Sequence, residues 1–203
     1  MGIIYNLLPV PGLTREGLYC APEELGLPSV GFEKGTIQLY TGSGKGKTTA
    51  ALGAALRAVG HGKRVAMIQF MKGRRYGELE AAKKLENFTI EQYGRDEFVD
   101  PKNPEPIDRE HAERGWKRAE ELVRDGTVDM LILDEINIAV SYGLIGLESV
   151  LLFMKSKPSA LELIMTGRYA PAEMIELADT VTEMKEIRHH FTRGVSARKG
   201  IEY

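Results

Sequence analysis

Residues 36–56 read T-I-Q-L-Y-T-G-S-G-K-G-K-T-T-A-A-L-G-A-A-L: a β-rich apolar run, a loop of glycines and lysines, then a helix-forming stretch. Strand, loop and helix in that order make a phosphate-binding loop. Its glycines let the backbone curl so that N–H groups point inward, while the helix start supplies a positive dipole end. Lys47 can reach the outer phosphates of a nucleoside triphosphate, and Thr48 can offer its hydroxyl to Mg²⁺. The loop departs from G-x-x-x-x-G-K-[ST] at its first position, where Thr41 stands in place of glycine and Gly42 follows one residue later. Gly42, Ser43, Gly44, Lys45, Gly46, Lys47, Thr48 and Thr49 are thus the candidate nucleotide-binding residues, Lys45 adding charge that a plain turn does not need.

Outward from this loop, strand-like runs alternate with helical patterns. Residues 36–40, 64–70, 88–92, 130–134, 161–166 and 180–184 read as strands. Residues 50–59, 78–85, 109–124, 147–154 and 172–177 carry apolar positions at helical spacing. The alternation predicts an α/β fold: a mostly parallel sheet with helices on both faces and ligands at the carboxyl ends of the strands. Residues 1–34 are punctuated by proline and glycine and read as an irregular N-terminal arm, either a surface wrap or a lid, before a nucleotide-binding domain over 35–203. Residues 94–107, with Pro101, Pro104 and Pro106, read as a long loop that places substrate-facing residues.

Three further strand ends face the same edge. Met130-Leu131-Ile132-Leu133 leads into Asp134 and Glu135, a Walker B-like pair at the end of a strand expected beside the phosphate loop. Either carboxylate can hold Mg²⁺, and Glu135 stands where many ATPases keep the base that activates water. Thr166-Gly167-Arg168 follows another strand, and Arg168 can fork onto phosphate oxygens or pair with a carboxylate. Met71-Lys72-Gly73-Arg74-Arg75 is open between an anion contact and a solvated basic turn. His189 and His190 read as packing or hydrogen-bonding residues rather than metal ligands, and Trp116, inside a helical pattern, reads as core.

Composition narrows the function classes. The 203 residues are 43% hydrophobic and 28% charged with a formal net charge of −2, an ordinary soluble balance without the basic excess that tracks nucleic acid. Cys20 is the sole cysteine, which excludes an intramolecular disulfide and fits a cytoplasmic, reducing setting. The short apolar stretch at residues 3–8 lacks the basic flank and length of a signal sequence, and Asn6 replaces the Ser or Thr that myristoylation wants. No membrane association is expected.

Gly42 to Ala51, Arg57 to Lys63, Gln69-Phe70-Met71-Lys72-Gly73, Leu133-Asp134-Glu135, Thr166-Gly167-Arg168, Leu177 to Glu183 and the ending from Arg188-His189 to Tyr203 together resemble one family. It is the P-loop ATP:corrinoid adenosyltransferases, and the resemblance covers residues 35–203. The resemblance implies a RecA-like sheet and transfer of the 5′-deoxyadenosyl group of ATP to Co(I) of a reduced corrinoid, with release of tripolyphosphate. It also implies that Gly42 to Thr48 hold the triphosphate, that Thr48 with Asp134 or Glu135 holds Mg²⁺, and that Arg168 lies near the phosphates or the corrinoid. A homodimer is implied too, with a flavoprotein reductant or an adenosylcobalamin-dependent enzyme as partner. The family's Phe-x-Trp corrinoid contact is not spelled here; residues 94–99 read G-R-D-E-F-V, leaving Phe98, with Tyr93, as the substitute. Two rival functions use the same loop, a RecA-like ATPase and a non-catalytic carrier of ATP or corrinoid.

Overall fold

The computed structural model describes residues 31–203, so the N-terminal arm before Gly31 lies outside the described residues. Six strands form one parallel sheet: β1 (Ile37–Thr41), β2 (Val65–Phe70), β3 (Phe88–Tyr93), β4 (Met130–Asp134), β5 (Glu162–Thr166) and β6 (Thr180–Glu183). Their order across the sheet is β3-β2-β4-β5-β1-β6, and every neighbouring pair runs parallel. All six lie within a residue or two of the runs expected from sequence.

Helices cover the two faces unequally. On one face lie α1 (Lys47–Gly60) and α2 (Gly77–Ala82), whose Ala51, Ala55, Ala58 and Ala82 pack on Val65, Met67, Ile132 and Ile164. The other carries α3 (Pro106–Arg124), α4 (Ile136–Ser141), α5 (Leu147–Ser156) and α6 (Ala172–Leu177), packed on Leu39, Ile68, Leu131, Leu133 and Met165. Successive strand residues thus alternate between two cores, as the two-residue period of a strand requires. Strands β2, β4 and β5 are buried along their whole length, which is why they read as continuous apolar runs. Trp116 is a core residue, its ring edge-on to Phe153 at 5.1 Å.

Three expectations need correction. The Walker B-like strand β4 does not lie beside β1: β5 intervenes, so Asp134 reaches the phosphate loop across a strand. Pro106 does not block a helix but begins one, because the first helical position needs no N–H donor. Glu105 and Asp108 close that end as a reciprocal capping box. Helix α4, six residues directly after the Asp-Glu pair, was absent from the sequence expectation; so short an apolar stretch has no readable period.

Candidate nucleotide site

The phosphate loop is held open by close backbone contacts. Gly42 (φ 95°) and Gly46 (φ 116°) adopt left-handed conformations, and a Cβ on Gly42 or Gly44 would stand 2.5 or 2.6 Å from the Met184 carbonyl oxygen. Glycine is required at these positions by geometry. Thr41 is tolerated at the departed first position because it remains in β1, paired with Glu183. Not every loop N–H faces inward, contrary to the simplest expectation: that of Gly44 donates to Met184 O at 2.6 Å. Lys47 is buried and donates to the carbonyls of Gly42 (2.8 Å) and Gly44 (2.7 Å). Burial lowers the Lys47 pKa, and the nearby Glu135 charge opposes that shift.

Across β5, Asp134 gathers four donors. Its Oδ1 accepts from Thr48 Oγ1 at 2.8 Å and from Thr166 Oγ1 at 2.7 Å; its Oδ2 accepts from Lys72 Nζ at 2.6 Å and from Gln69 Nε2 at 3.2 Å. Gln69 in turn accepts from Gln92 Nε2 at 3.0 Å, so β3, β2 and β4 contribute to one polar row at their carboxyl ends. Asp134 is fully buried beneath these partners. The sequence leaves Lys72 open between an anion contact and a solvated turn and gives Gln69, quoted only within a family motif, no role, although a glutamine inside the apolar run V-A-M-I-Q-F is a signal.

Glu135 begins α4 in the left-handed region (φ 64°), a conformation a non-glycine residue adopts at a cost and one that clusters at functional sites. Its N–H donates to Thr166 Oγ1 at 3.1 Å, and its Oε2 is buried with no hydrogen-bond partner among the described residues. Desolvation raises its pKa, with the Asp134 charge adding to the shift. The donor set is hard oxygen throughout, Thr48 Oγ1, Asp134 and the unpartnered Glu135 Oε2, and so suits Mg²⁺. Arg168 is exposed and lines the same opening.

Of these groups Lys47, Thr48, Lys72, Glu135 and Arg168 line a cavity of about 610 Å³, within the range of cofactor sites. Lys45, Lys47, Thr48 and Thr49 form one wall, Lys72 and Tyr76 another, and Gly200 to Tyr203 close it. Glu202 anchors that closing segment through Arg198 (3.2 Å) and Lys45 (3.3 Å). His189 and His190 stack at 4.4 Å, and the His189 ring nitrogen Nδ1 accepts from the Phe191 N–H.

Phe98 does not line this cavity. It is 93% exposed, with the Arg74 guanidinium 5.8 Å from its ring centroid. Its loop is tied to the start of α3 by Arg95, which binds Asp108 at 2.8 Å and Glu105 at 2.7 Å.

Among solved structures, a KaiC-like protein from Pyrococcus horikoshii superimposes with a TM-score of 0.50 at 20% identity, covering 76% of this chain and 74% of that one. This establishes the RecA-like fold. The corrinoid adenosyltransferase of Escherichia coli (strain K12) is 41% identical over 178 residues, spanning 84% of this chain and 87% of the relative. That of a Sinorhizobium species is 41% identical over 174 residues, spanning 84% and 81%. The model of the family described as ATP:corrinoid adenosyltransferase BtuR/CobO/CobP matches residues 33–203. Phosphate loop, Asp134–Thr48 bridge and Thr166–Arg168 turn all fall within that match, and the chain belongs to the ATP:corrinoid adenosyltransferase family.

Proposed function

We propose that this protein transfers the 5′-deoxyadenosyl group of ATP to the cobalt of a reduced corrinoid. The Co(I) electron pair forms the Co–C5′ bond, the C5′–O5′ bond breaks, and its electron pair departs on the α-phosphate oxygen as tripolyphosphate. Because the nucleophile belongs to the corrinoid, the protein's work is orientation and stabilisation of the leaving anion. ATP lies along the loop with its ribose carbon presented to the cobalt. Gly42 to Thr49 cradle the triphosphate, Lys47 exchanges its two loop carbonyls for phosphate oxygens, and Arg168 neutralises charge as it builds on the leaving group. Thr48, Asp134 and Glu135 hold Mg²⁺, which neutralises phosphate oxygens. Phe98, outside the triphosphate cavity on a loop tied by Arg95, serves as a corrinoid contact.

The observation that carries this reading is the Thr48–Asp134 contact at 2.8 Å, which joins loop and carboxylate into one site within a chain of this family. The reading extends to a cytoplasmic homodimer that receives its corrinoid with the help of a flavoprotein reductant or delivers product to an adenosylcobalamin-dependent enzyme. No helix among the described residues is long and apolar enough to cross a membrane. A hydrolytic alternative rests on the unpartnered Glu135 oxygen, placed to accept a proton from water.

Anaerobic incubation with MgATP and chemically reduced cobalamin tests the proposal, following loss of Co(I) absorbance and identifying the phosphate product by phosphorus NMR. Adenosylcobalamin with stoichiometric tripolyphosphate is expected. ADP and orthophosphate formed without corrinoid would establish the hydrolase instead.

A further inference from the structure

Lys72 lies where a bridging cation would lie. Its ammonium is 2.6 Å from Asp134 Oδ2 and 3.4 Å from Thr48 Oγ1, so it contacts the two side chains to which the proposed function gives the metal. The side chain is only 16% exposed and the Asp134 carboxylate beneath it is fully buried. A divalent cation at Asp134 therefore shares this carboxylate with the Lys72 charge. The backbone makes this placement firm: a Cβ on Gly94 would stand 2.4 Å from Lys72 N, and one on Gly73 would stand 2.7 Å from Arg95 C. The turn after β2 is thus locked against the loop after β3, with Met71 in the left-handed region (φ 57°) aiming the following residue inward. The Tyr76 ring, 5.5 Å from the ammonium, flanks it on the cavity side.

We infer that Lys72 is a resident counter-cation that competes with the divalent metal for Asp134, making metal binding conditional on nucleotide. Asp134 already spends Oδ2 on Lys72 and Gln69 and Oδ1 on Thr48 and Thr166, so a metal that takes this buried carboxylate has to displace a donor and is repelled by the Lys72 charge while that stays in place. Metal therefore enters when Lys72 has another anion to meet, and Lys72 lines the same cavity as the triphosphate-binding residues Lys47 and Thr48. When the nucleotide arrives, the ammonium exchanges Asp134 for phosphate oxygens and the metal takes the carboxylate. Lys72 thereby becomes a triphosphate contact in the loaded site, one that couples occupancy by nucleotide to occupancy by metal.

This inference rests on Thr48 and Asp134 being metal ligands, and the test separates the two. Mn²⁺ binding is measured by electron paramagnetic resonance on the full chain, with and without ATP, for the parent protein, Lys72→Met and Lys72→Arg. Expected is weak Mn²⁺ binding by the nucleotide-free parent, at least tenfold tighter binding by nucleotide-free Lys72→Met, and weak binding again by Lys72→Arg, which keeps the charge. ATP affinity in excess chelator should fall about tenfold in Lys72→Met. Unchanged Mn²⁺ affinity in nucleotide-free Lys72→Met, with Mn²⁺ binding by the parent ATP complex weakened by Asp134→Asn, overturns the competition and leaves the metal ligands standing. Mn²⁺ binding by the parent complex that survives Asp134→Asn unchanged overturns both. Should Lys72→Met fail to fold, a nucleotide-free Lys72→Arg protein that binds Mn²⁺ as tightly as its ATP complex does is equally contrary to the inference.

Discussion

Thr166 joins the two acidic residues at the end of β4: its hydroxyl donates to Asp134 Oδ1 at 2.7 Å and accepts the Glu135 N–H at 3.1 Å. The partners are the last residue of the neighbouring strand β4 and the N-cap of α4 that follows it, so one hydroxyl fixes the Asp134 rotamer and the left-handed turn at Glu135 together. Thr166→Val keeps the shape and removes the bonds, leaving the part-buried Glu135 N–H unpaired and the buried Asp134 short of a donor. A loss of about 1–3 kcal/mol in unfolding free energy is expected by urea denaturation, with Thr166→Ser close to the parent. Equal stability of the Val and Ser variants would show that the hydroxyl holds nothing.

Lys47 spends both its hydrogen bonds on loop carbonyls, so its removal costs the folded protein less than it costs the complex with ATP. Lys47→Ala should weaken ATP binding about 10- to 100-fold, the loss expected for one or two charge-assisted bonds to phosphate, and abolish turnover mainly through that loss. Calorimetric titration with MgATP is the measurement, and near-parent affinity and rate would remove Lys47 from the triphosphate site.

Much of this arrangement was legible beforehand, for a physical reason. A parallel sheet buried on both faces forces continuous apolar runs, and the phosphate loop between β1 and α1 has few other spellings; strands and loop both declare themselves locally. Strand order does not. That β5 separates β1 from β4 is a property of crossovers, and it decides that Thr166 bridges to Asp134. Lys72 was equally hidden: in sequence it is one cation in a basic turn, 62 residues from the carboxylate it meets. Gln69 was visible as a polar residue in an apolar run, but its partner was not. Pro106 misled because the same residue that ends a helix from inside begins one at its first position.

Phe98 presents 93% of its surface to solvent and therefore contributes little to folding. Phe98→Ala should leave stability and ATP affinity unchanged while slowing adenosylation of the corrinoid. Comparing anaerobic transfer rates at saturating MgATP decides the matter; an unchanged rate would exclude Phe98 from the corrinoid contact.

Glycines 53 and 94 make opposite forecasts. Nothing lies within 4 Å of a Cβ built on Gly53 in α1, so Gly53→Ala should stabilise by about 0.5–1 kcal/mol through reduced freedom of the unfolded chain. At Gly94 the added carbon meets the Lys72 backbone at 2.4 Å, and Gly94→Ala should destabilise by about 1–3 kcal/mol. Thermal unfolding of the pair should move the midpoints in opposite directions, and a neutral Gly94→Ala would mean that the two loops are not locked together.

Glu202 ties the segment closing the cavity to Arg198 and, beyond it, to Lys45 of the phosphate loop. Hydrogen bonds from Arg198 hold its carboxyl well below the usual glutamate value, at about 2, and Lys45 adds to the effect. A depressed acid binds its proton less readily folded than unfolded, so the anchoring is present above the ordinary glutamate range and is lost as pH falls towards about 2. Carbon-13 NMR of the glutamate carboxyls should show one residue, assigned by Glu202→Gln, titrating near that value. Arg198→Met should move its midpoint up towards the ordinary range, because the largest source of the depression is gone, while addition of triphosphate should move it part of the way by drawing Lys45 off. A Glu202 midpoint at the ordinary glutamate value in the parent protein would mean that the segment is not anchored by charge and that the cavity is closed by packing alone.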